Sequence, residues 1–163
     1  LVEDTRILAG SRGFPIVQGY LFKDSLRVRV RTFGDSAFLA LKGQRVGIAR
    51  DEYEYQIPMD DALEILGNYC LERKITKTRH LIPAGRHVFE VDVYEGGLTG
   101  LVVAEVELSR EDEAIELPGW IGPEVTQDRR YRNFYLAVAD GIPARSEIPV
   151  AEAAKRDADS LIA

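Results

Sequence analysis

Apolar and polar residues alternate through much of the chain with the period of a β-strand. The clearest stretch is Leu26 to Phe33, where Leu26, Val28 and Val30 fall on one face and Arg27, Arg29 and Arg31 on the other. The β-rich segment Phe14 to Phe22 precedes it. The turn pair Gly34-Asp35 follows and leads into a third strand, Ser36 to Lys42. Ile48 to Ile57 reads as a fourth strand, with Glu52, Glu54 and Gln56 opposed to Tyr53, Tyr55 and Ile57. The period then changes. Pro58 can open a helix, Asp60 and Asp61 suit its positive N-terminal end, and Met59, Ala62, Leu63, Leu66 and Cys70 recur at helical spacing. A short amphipathic helix is therefore predicted over Met59 to Cys70. Strands resume at Arg73 to Ile82, Val88 to Tyr94 and Leu101 to Leu108. Beyond them the pattern predicts a helical turn at Pro118 to Ile121, a last strand at Asn133 to Ala139 and a helical tail over Pro149 to Ile162. Some seven antiparallel strands with few helices define a mainly β (α+β) chain, a barrel or a sandwich. No repeat or linker divides it.

Composition narrows the function. A length of 163 residues fits one domain, and 45% hydrophobic with 29% charged residues is a globular balance. The net charge of -6 argues against a nucleic-acid coat or a binder of anionic membranes, and no apolar run approaches the ~20 residues of a membrane span. The single cysteine, Cys70, excludes an internal disulfide framework and points to a reducing, cytoplasmic setting. Cys70 is expected in the core, and His80, His87 and Trp120 in structural roles. The loop Gly10-Ser11-Arg12-Gly13 lacks the spacing of a phosphate-binding loop.

The polar strand faces sort by sign. Arg27, Arg29 and Arg31 share one strand, and Lys42 lies on the next. Lys77 and Arg79 share the strand after the helix. Glu52 and Glu54, Glu90 and Asp92, and Glu105 and Glu107 form acidic pairs. Each strand alone reads as an ordinary solvated face. Taken together, however, like charges recur about 6–7 Å apart along single strands, a repulsion that a ligand of opposite charge would relieve. Guanidinium and ammonium groups recognise phosphate oxygens, and paired carboxylates bind hard divalent cations. Neither His80 nor His87 has zinc-site spacing. The combination points to a polyphosphate handled with a divalent metal. Metal-assisted hydrolysis would draw on Glu52, Glu54 or Lys77 to orient water.

These segments resemble the CYTH domain, the family of triphosphate tunnel metalloenzymes, from about Gln18 to Leu136. The resemblance rests on the order of Gln18-Gly19-Tyr20-Leu21, Arg27-Val28-Arg29-Val30, Leu41-Lys42-Gly43, Arg50-Asp51-Glu52-Tyr53-Glu54, Lys77-Thr78-Arg79-His80, Phe89 to Tyr94, Leu101 to Glu107, Leu117 to Thr126 and Arg130-Tyr131-Arg132-Asn133. It implies an eight-stranded antiparallel β-barrel tunnel over residues 1–139, with a few peripheral helices and a separate tail over 140–163. The family's reactions are cleavage of inorganic, thiamine or nucleoside triphosphates, or formation of cyclic AMP, with Mg²⁺ or Mn²⁺. Inorganic tripolyphosphate is the expected substrate and a nucleoside triphosphate the alternative. An adenylyl cyclase and a non-catalytic polyphosphate-binding module are the rival readings, and a homodimer is an open possibility. By resemblance, Arg27, Arg29, Lys42, Lys77 and Arg79 hold phosphate. Glu105, Glu107, Glu90 and Asp92 serve the metal, and Lys77, Glu52, Glu54 and Tyr20 complete the catalytic set.

One family feature is not in this sequence. The family's opening Glu-x-Glu-x-Lys strand has no counterpart, because Leu1-Val2-Glu3-Asp4 begins just past it and Glu3 and Asp4 are adjacent rather than alternating. The expectation is that this strand precedes Leu1 in the complete protein. Its true loss would leave a barrel open on one side.

Overall fold

The computed structural model describes residues 1–23, 26–46, 49–110 and 113–144. Seven strands form one sheet: β1 (Gly13–Lys23), β2 (Leu26–Phe33), β3 (Ser36–Val46), β4 (Ala49–Ile57), β5 (Lys74–Ala84), β6 (His87–Tyr94) and β7 (Val102–Glu105). Their order across the sheet is β4-β3-β2-β1-β5-β6-β7. Every pairing is antiparallel. Five of the six pairings join consecutive strands. The β1–β5 pairing is the long-range join, made once helix α1 (Met59–Asn68) has carried the chain back.

The mainly β, antiparallel architecture is as the alternation predicts. The closed eight-stranded barrel is not: among the described residues the sheet has seven strands and stays open, with β4 and β7 each paired on one side only. At the β7 edge, Val2 donates its N–H to Val102 and bridges to Ile121, so the N-terminal residues lie against this part of the sheet.

Two further expectations are corrected. Asn133 to Ala139 is no strand; it carries helix α2 (Asn133–Leu136), closed by bonds from Leu136 to the Arg132 carbonyl and from Ala137 to the Asn133 carbonyl. Leu136 and Ala137 are buried in the core while Val138 is exposed, which is incompatible with strand alternation. β7 is also shorter than Leu101 to Leu108, so Glu107 lies beyond the paired ladder. Pro118 to Ile121 is a turn closed by a bond from Ile121 to Pro118. The expected tail helix lies outside the described residues.

The two faces of the sheet carry different chemistry. Val17, Val30, Ala37 and Leu39 on one face pack under α1 with Ala62, Leu66 and Cys70. Gly19 permits this contact, since a Cβ there would sit 2.5 Å from the Cys70 Cβ. Farther along the same face, Phe89, Val91, Val102 and Ala104 meet Trp120, Ile121 and Val2. The other face carries the sorted charges. At one end it is closed by Tyr20, Ile75, Tyr94 and Val103 packed against Tyr131, Phe134, Leu136 and Ala137.

Candidate active site

Strand register explains how charges from distant parts of the sequence meet. Arg29 on β2 pairs with Ala40 on β3, and Ala40 pairs with Glu54 on β4. The side chains of Arg29 and Glu54 therefore stand two strand spacings apart, about 9–10 Å, with only a methyl group between them. Arg29 reaches across to Glu54 at 2.7 Å, and Arg31 reaches the same carboxylate at 3.1 Å. Lys42, the register partner of both Arg27 and Glu52, holds Glu52 at 2.6 Å. Arg29 also lies 3.6 Å from Glu52. The basic run of β2 is thus matched by the acidic run of β4.

The second half of the face repeats the arrangement under deeper burial. Arg79 on β5 pairs with Asp92 on β6, and Glu90 on β6 pairs with Glu105 on β7. Arg79 forks onto Asp92 through Nε and Nη2, both at 2.7 Å, and also bonds Glu90 and, at 3.3 Å, Glu105. Lys77 Nζ lies 2.5 Å from the Asp92 Oδ2 atom, with both side chains almost wholly excluded from solvent at 1% and 0% exposure. Burial pushes the Lys77 ammonium below the usual lysine range, against the opposing pull of Asp92.

Tyr20 stands between the halves. It is buried and accepts a bond from the Gln18 amide at 3.0 Å, and its burial raises its pKa, so its hydroxyl stays protonated at neutral pH. Phe134 meets Tyr20 edge-on at 5.4 Å and lies under the Arg27 guanidinium at 4.5 Å.

All the expected site residues on β1 to β7 thus lie on one face. Glu107 adjoins it near Leu81 and Glu90. The acidic and basic runs are less bare than their sequence suggests, because each is neutralised by a neighbouring strand. Among the described residues two polar atoms escape that pairing: the Nε–H groups of Arg29 and Arg31 are buried and without a hydrogen-bond partner. A buried unsatisfied donor costs on the order of 1–3 kcal/mol, and two of them side by side on one strand mark where an anion would be stabilised. Three contributors escaped sequence reasoning: Gln18, Asn133 and Tyr94. Asn133 accepts from both Lys77, at 3.2 Å, and Tyr94, at 2.7 Å. Gln18 is a buried polar residue within an apolar strand, a signal the sequence does carry.

The acidic residues also bear on metal binding. The donors are carboxylates without histidine or cysteine, a hard-cation set. Among the described residues no three such groups converge. Both Asp92 oxygens are taken by Arg79 and Lys77, whereas the register partners Glu90 and Glu105 each give Arg79 a single oxygen and form the facing pair. Two carboxylates suit a cation such as Mg²⁺, whose remaining positions are filled by water and substrate phosphate. Elsewhere, His80 bonds Ser11 and His87 bonds Glu113, Trp120 packs edge-on against Phe89, and Cys70 is buried. Among the described residues no helix is long and apolar enough to cross a membrane.

A sheet with one charged face, basic in its middle and acidic on the strands flanking it, matches known proteins. The CYTH domain model matches residues 20–137. The chain is 44% identical over 127 residues to an inorganic triphosphatase of Acetivibrio thermocellus, covering 77% of this chain and 81% of the relative. It is 40% identical over 131 residues to an inorganic triphosphatase of Nitrosomonas europaea, covering 77% and 85%. The crystal structure of the inorganic triphosphatase NE1496 aligns with a TM-score of 0.62 at 38% identity, over 82% of this chain and 89% of that one. The chain belongs to the CYTH domain family.

Proposed function

We propose that this protein hydrolyses inorganic tripolyphosphate to pyrophosphate and phosphate. The observation that carries the reading is the pair of buried, unpartnered Nε–H donors on Arg29 and Arg31. It is supported by the triphosphatase relatives at 40–44% identity.

In this reading Arg27, Arg29, Arg31 and Lys42 bind the phosphate chain. Glu52 and Glu54, the present partners of Arg29, Arg31 and Lys42, are partly exposed carboxylates that give way to phosphate oxygens. Arginine suits the task because its planar fork meets two oxygens at once and stays charged throughout. Lys77 and Arg79 approach from β5 and stabilise charge on the transferring phosphoryl group. Asp92 holds both cations in place from beneath rather than serving as a metal ligand. Glu90 and Glu105, with Glu107 adjoining, would hold Mg²⁺ or Mn²⁺. When bound, that cation supplies charge neutralisation at the phosphates and an acidified water. Glu52 or Glu54, once released from the arginines, is placed to accept a proton. Tyr20, kept protonated by burial, would offer its hydroxyl hydrogen to a phosphate oxygen and does not act as a base.

Two assays on the full-length protein test the substrate. With ATP supplied in place of tripolyphosphate, the reading expects slower phosphate release and no cyclic AMP. Cyclic AMP as the main product would overturn it.

A further inference from the structure

We infer that Asn133 is a positioning residue that aims the Lys77 ammonium at the phosphate-binding face; the inference rests on the triphosphatase reading of that face. The starting point is the chemistry of the lysine. A lysine side chain has four rotatable carbons and three equivalent N–H donors, and by itself it holds no fixed direction. Here it is wholly buried, so any unmet donor would be costly. Asp92 Oδ2 fixes one of the three at 2.5 Å. Asn133 Oδ1 takes a second at 3.2 Å, from a residue 56 positions away in sequence. Two anchors on different elements define the direction of the third.

The identity of the Asn133 atom follows from its neighbours. Lys77 offers donors only, so the atom facing it must be the amide oxygen. The same oxygen lies 2.7 Å from the Tyr94 hydroxyl, which therefore donates, and both lone pairs of the carbonyl are used. Tyr94 is itself the register partner of Lys77 across β5 and β6, and its ring lies 5.3 Å from the ammonium. Lys77, Tyr94 and Asn133 thus close a triangle in which the tyrosine steadies the amide and the amide steadies the lysine. Helix α2 supplies the rigidity, since Leu136 is buried beside Asn133 and Phe134 is wedged against Tyr20.

The arrangement assigns Tyr94 no separate role in the reaction, so its effect should pass through Asn133. Residues coupled in this way give non-additive losses. Three single variants of the full-length protein and one double variant, assayed for phosphate release from tripolyphosphate alongside melting, decide the matter. Asn133→Leu keeps the branched outline of the side chain and removes the acceptor. It should lower kcat by about 10- to 100-fold while KM moves far less, the loss expected for a hydrogen bond to a charged group. Asn133→Asp restores an acceptor oxygen and should recover part of that loss. Tyr94→Phe keeps the ring and should lower kcat less than Asn133→Leu, and the double variant should be no worse than Asn133→Leu alone. Should Asn133→Leu fail to fold, Tyr94→Phe decides: a lowered kcat with melting retained supports the role. A folded Asn133→Leu or Tyr94→Phe with wild-type kcat overturns it, as do multiplying losses in the double variant or an Asn133→Asp as slow as Asn133→Leu. A wild-type protein inert toward tripolyphosphate would overturn the triphosphatase reading, and this role with it; an active wild type with an unaffected Asn133→Leu overturns this role alone.

Discussion

Arg29 and Glu54 bond at 2.7 Å across Ala40, a residue whose methyl group is the only side chain between them. The pair ties β2 to β4 over the intervening strand and keeps the basic row of the site upright. Ala40→Leu would fill that gap. The extra bulk in a fully buried position should cost about 1–3 kcal/mol and separate the two charges. Urea unfolding should register the loss, and KM for tripolyphosphate should change with it. An Ala40→Leu protein as stable as wild type would mean that the pair does not depend on this opening.

Asp92 is the keystone of the other half. Its carboxylate faces Lys77 and Arg79 in a setting closed to solvent. Asp92→Asn leaves two buried cations against a neutral amide. Removing one partner of a buried ion pair typically costs about 3–5 kcal/mol, whereas an exposed pair such as Arg6–Asp4 is screened by water and contributes little. The unfolding midpoint of Asp92→Asn should therefore fall steeply, while Asp4→Asn should leave it nearly in place. Equal effects from the two would contradict the burial argument.

Arg29 and Arg31 should not tolerate lysine. Lysine preserves charge but has no Nε–H and no planar fork. Arg29→Lys and Arg31→Lys should each lower kcat/KM for tripolyphosphate by about tenfold or more, with stability little altered. Wild-type kinetics in both would remove the unpartnered donors from the site.

Alkaline pH separates the tyrosines. Burial raises the pKa of Tyr20 and Tyr94, whereas the Arg129 and Arg27 guanidiniums lower that of Tyr135. Ultraviolet titration of the folded protein should show Tyr135 ionising early and Tyr20 and Tyr94 late among the seven tyrosines. Stability follows the same logic. A raised folded pKa contributes stability that is complete below the ordinary tyrosine value, about 10, and is lost as pH climbs through the folded value. Lys77 works in the opposite sense, since its lowered pKa makes the folded state relatively more stable as pH rises toward the ordinary lysine value of about 10.4. Above that value the losses at Tyr20 and Tyr94 act together with that of the Cys70 thiol, whose pKa burial also raises, so the unfolding midpoint should fall, and Tyr20→Phe should blunt the fall. A midpoint indifferent to pH in that range would contradict the burial of these hydroxyls.

Much of this was legible in the residues. Strict alternation over Leu26 to Phe33 predicts β2 to the residue, because one face is apolar and the other carries charge. Alternation also exposes the sorted charges, since side-chain direction in a strand is a local property. Pairing is not local. Nothing in β2 alone says that Ala40 will stand between Arg29 and Glu54, or that β1 will reach past four elements to join β5. For that reason the acidic and basic runs read as bare when each in fact neutralises the other. The Glu105-x-Glu107 alternation runs on past the last ladder bond, so alternation alone overstates the length of β7. Asn133 to Ala139 carries Phe134, Tyr135 and Val138, residues that favour strands, but its packing against Tyr20 and Tyr94 settles it as a helical turn. The contact of Asn133 with Lys77 follows from that packing and is not legible in the sequence.

The central claim is that the charged face turns over tripolyphosphate. The most direct measurement is phosphate release by the full-length protein with Mg²⁺ or Mn²⁺, beside Lys77→Ala and a chelator-treated control. The account predicts release of phosphate and pyrophosphate by the wild-type protein, falling by orders of magnitude in Lys77→Ala and on removal of the metal. A folded wild-type protein that releases no phosphate with either metal, or a Lys77→Ala protein that keeps the wild-type rate, would contradict it.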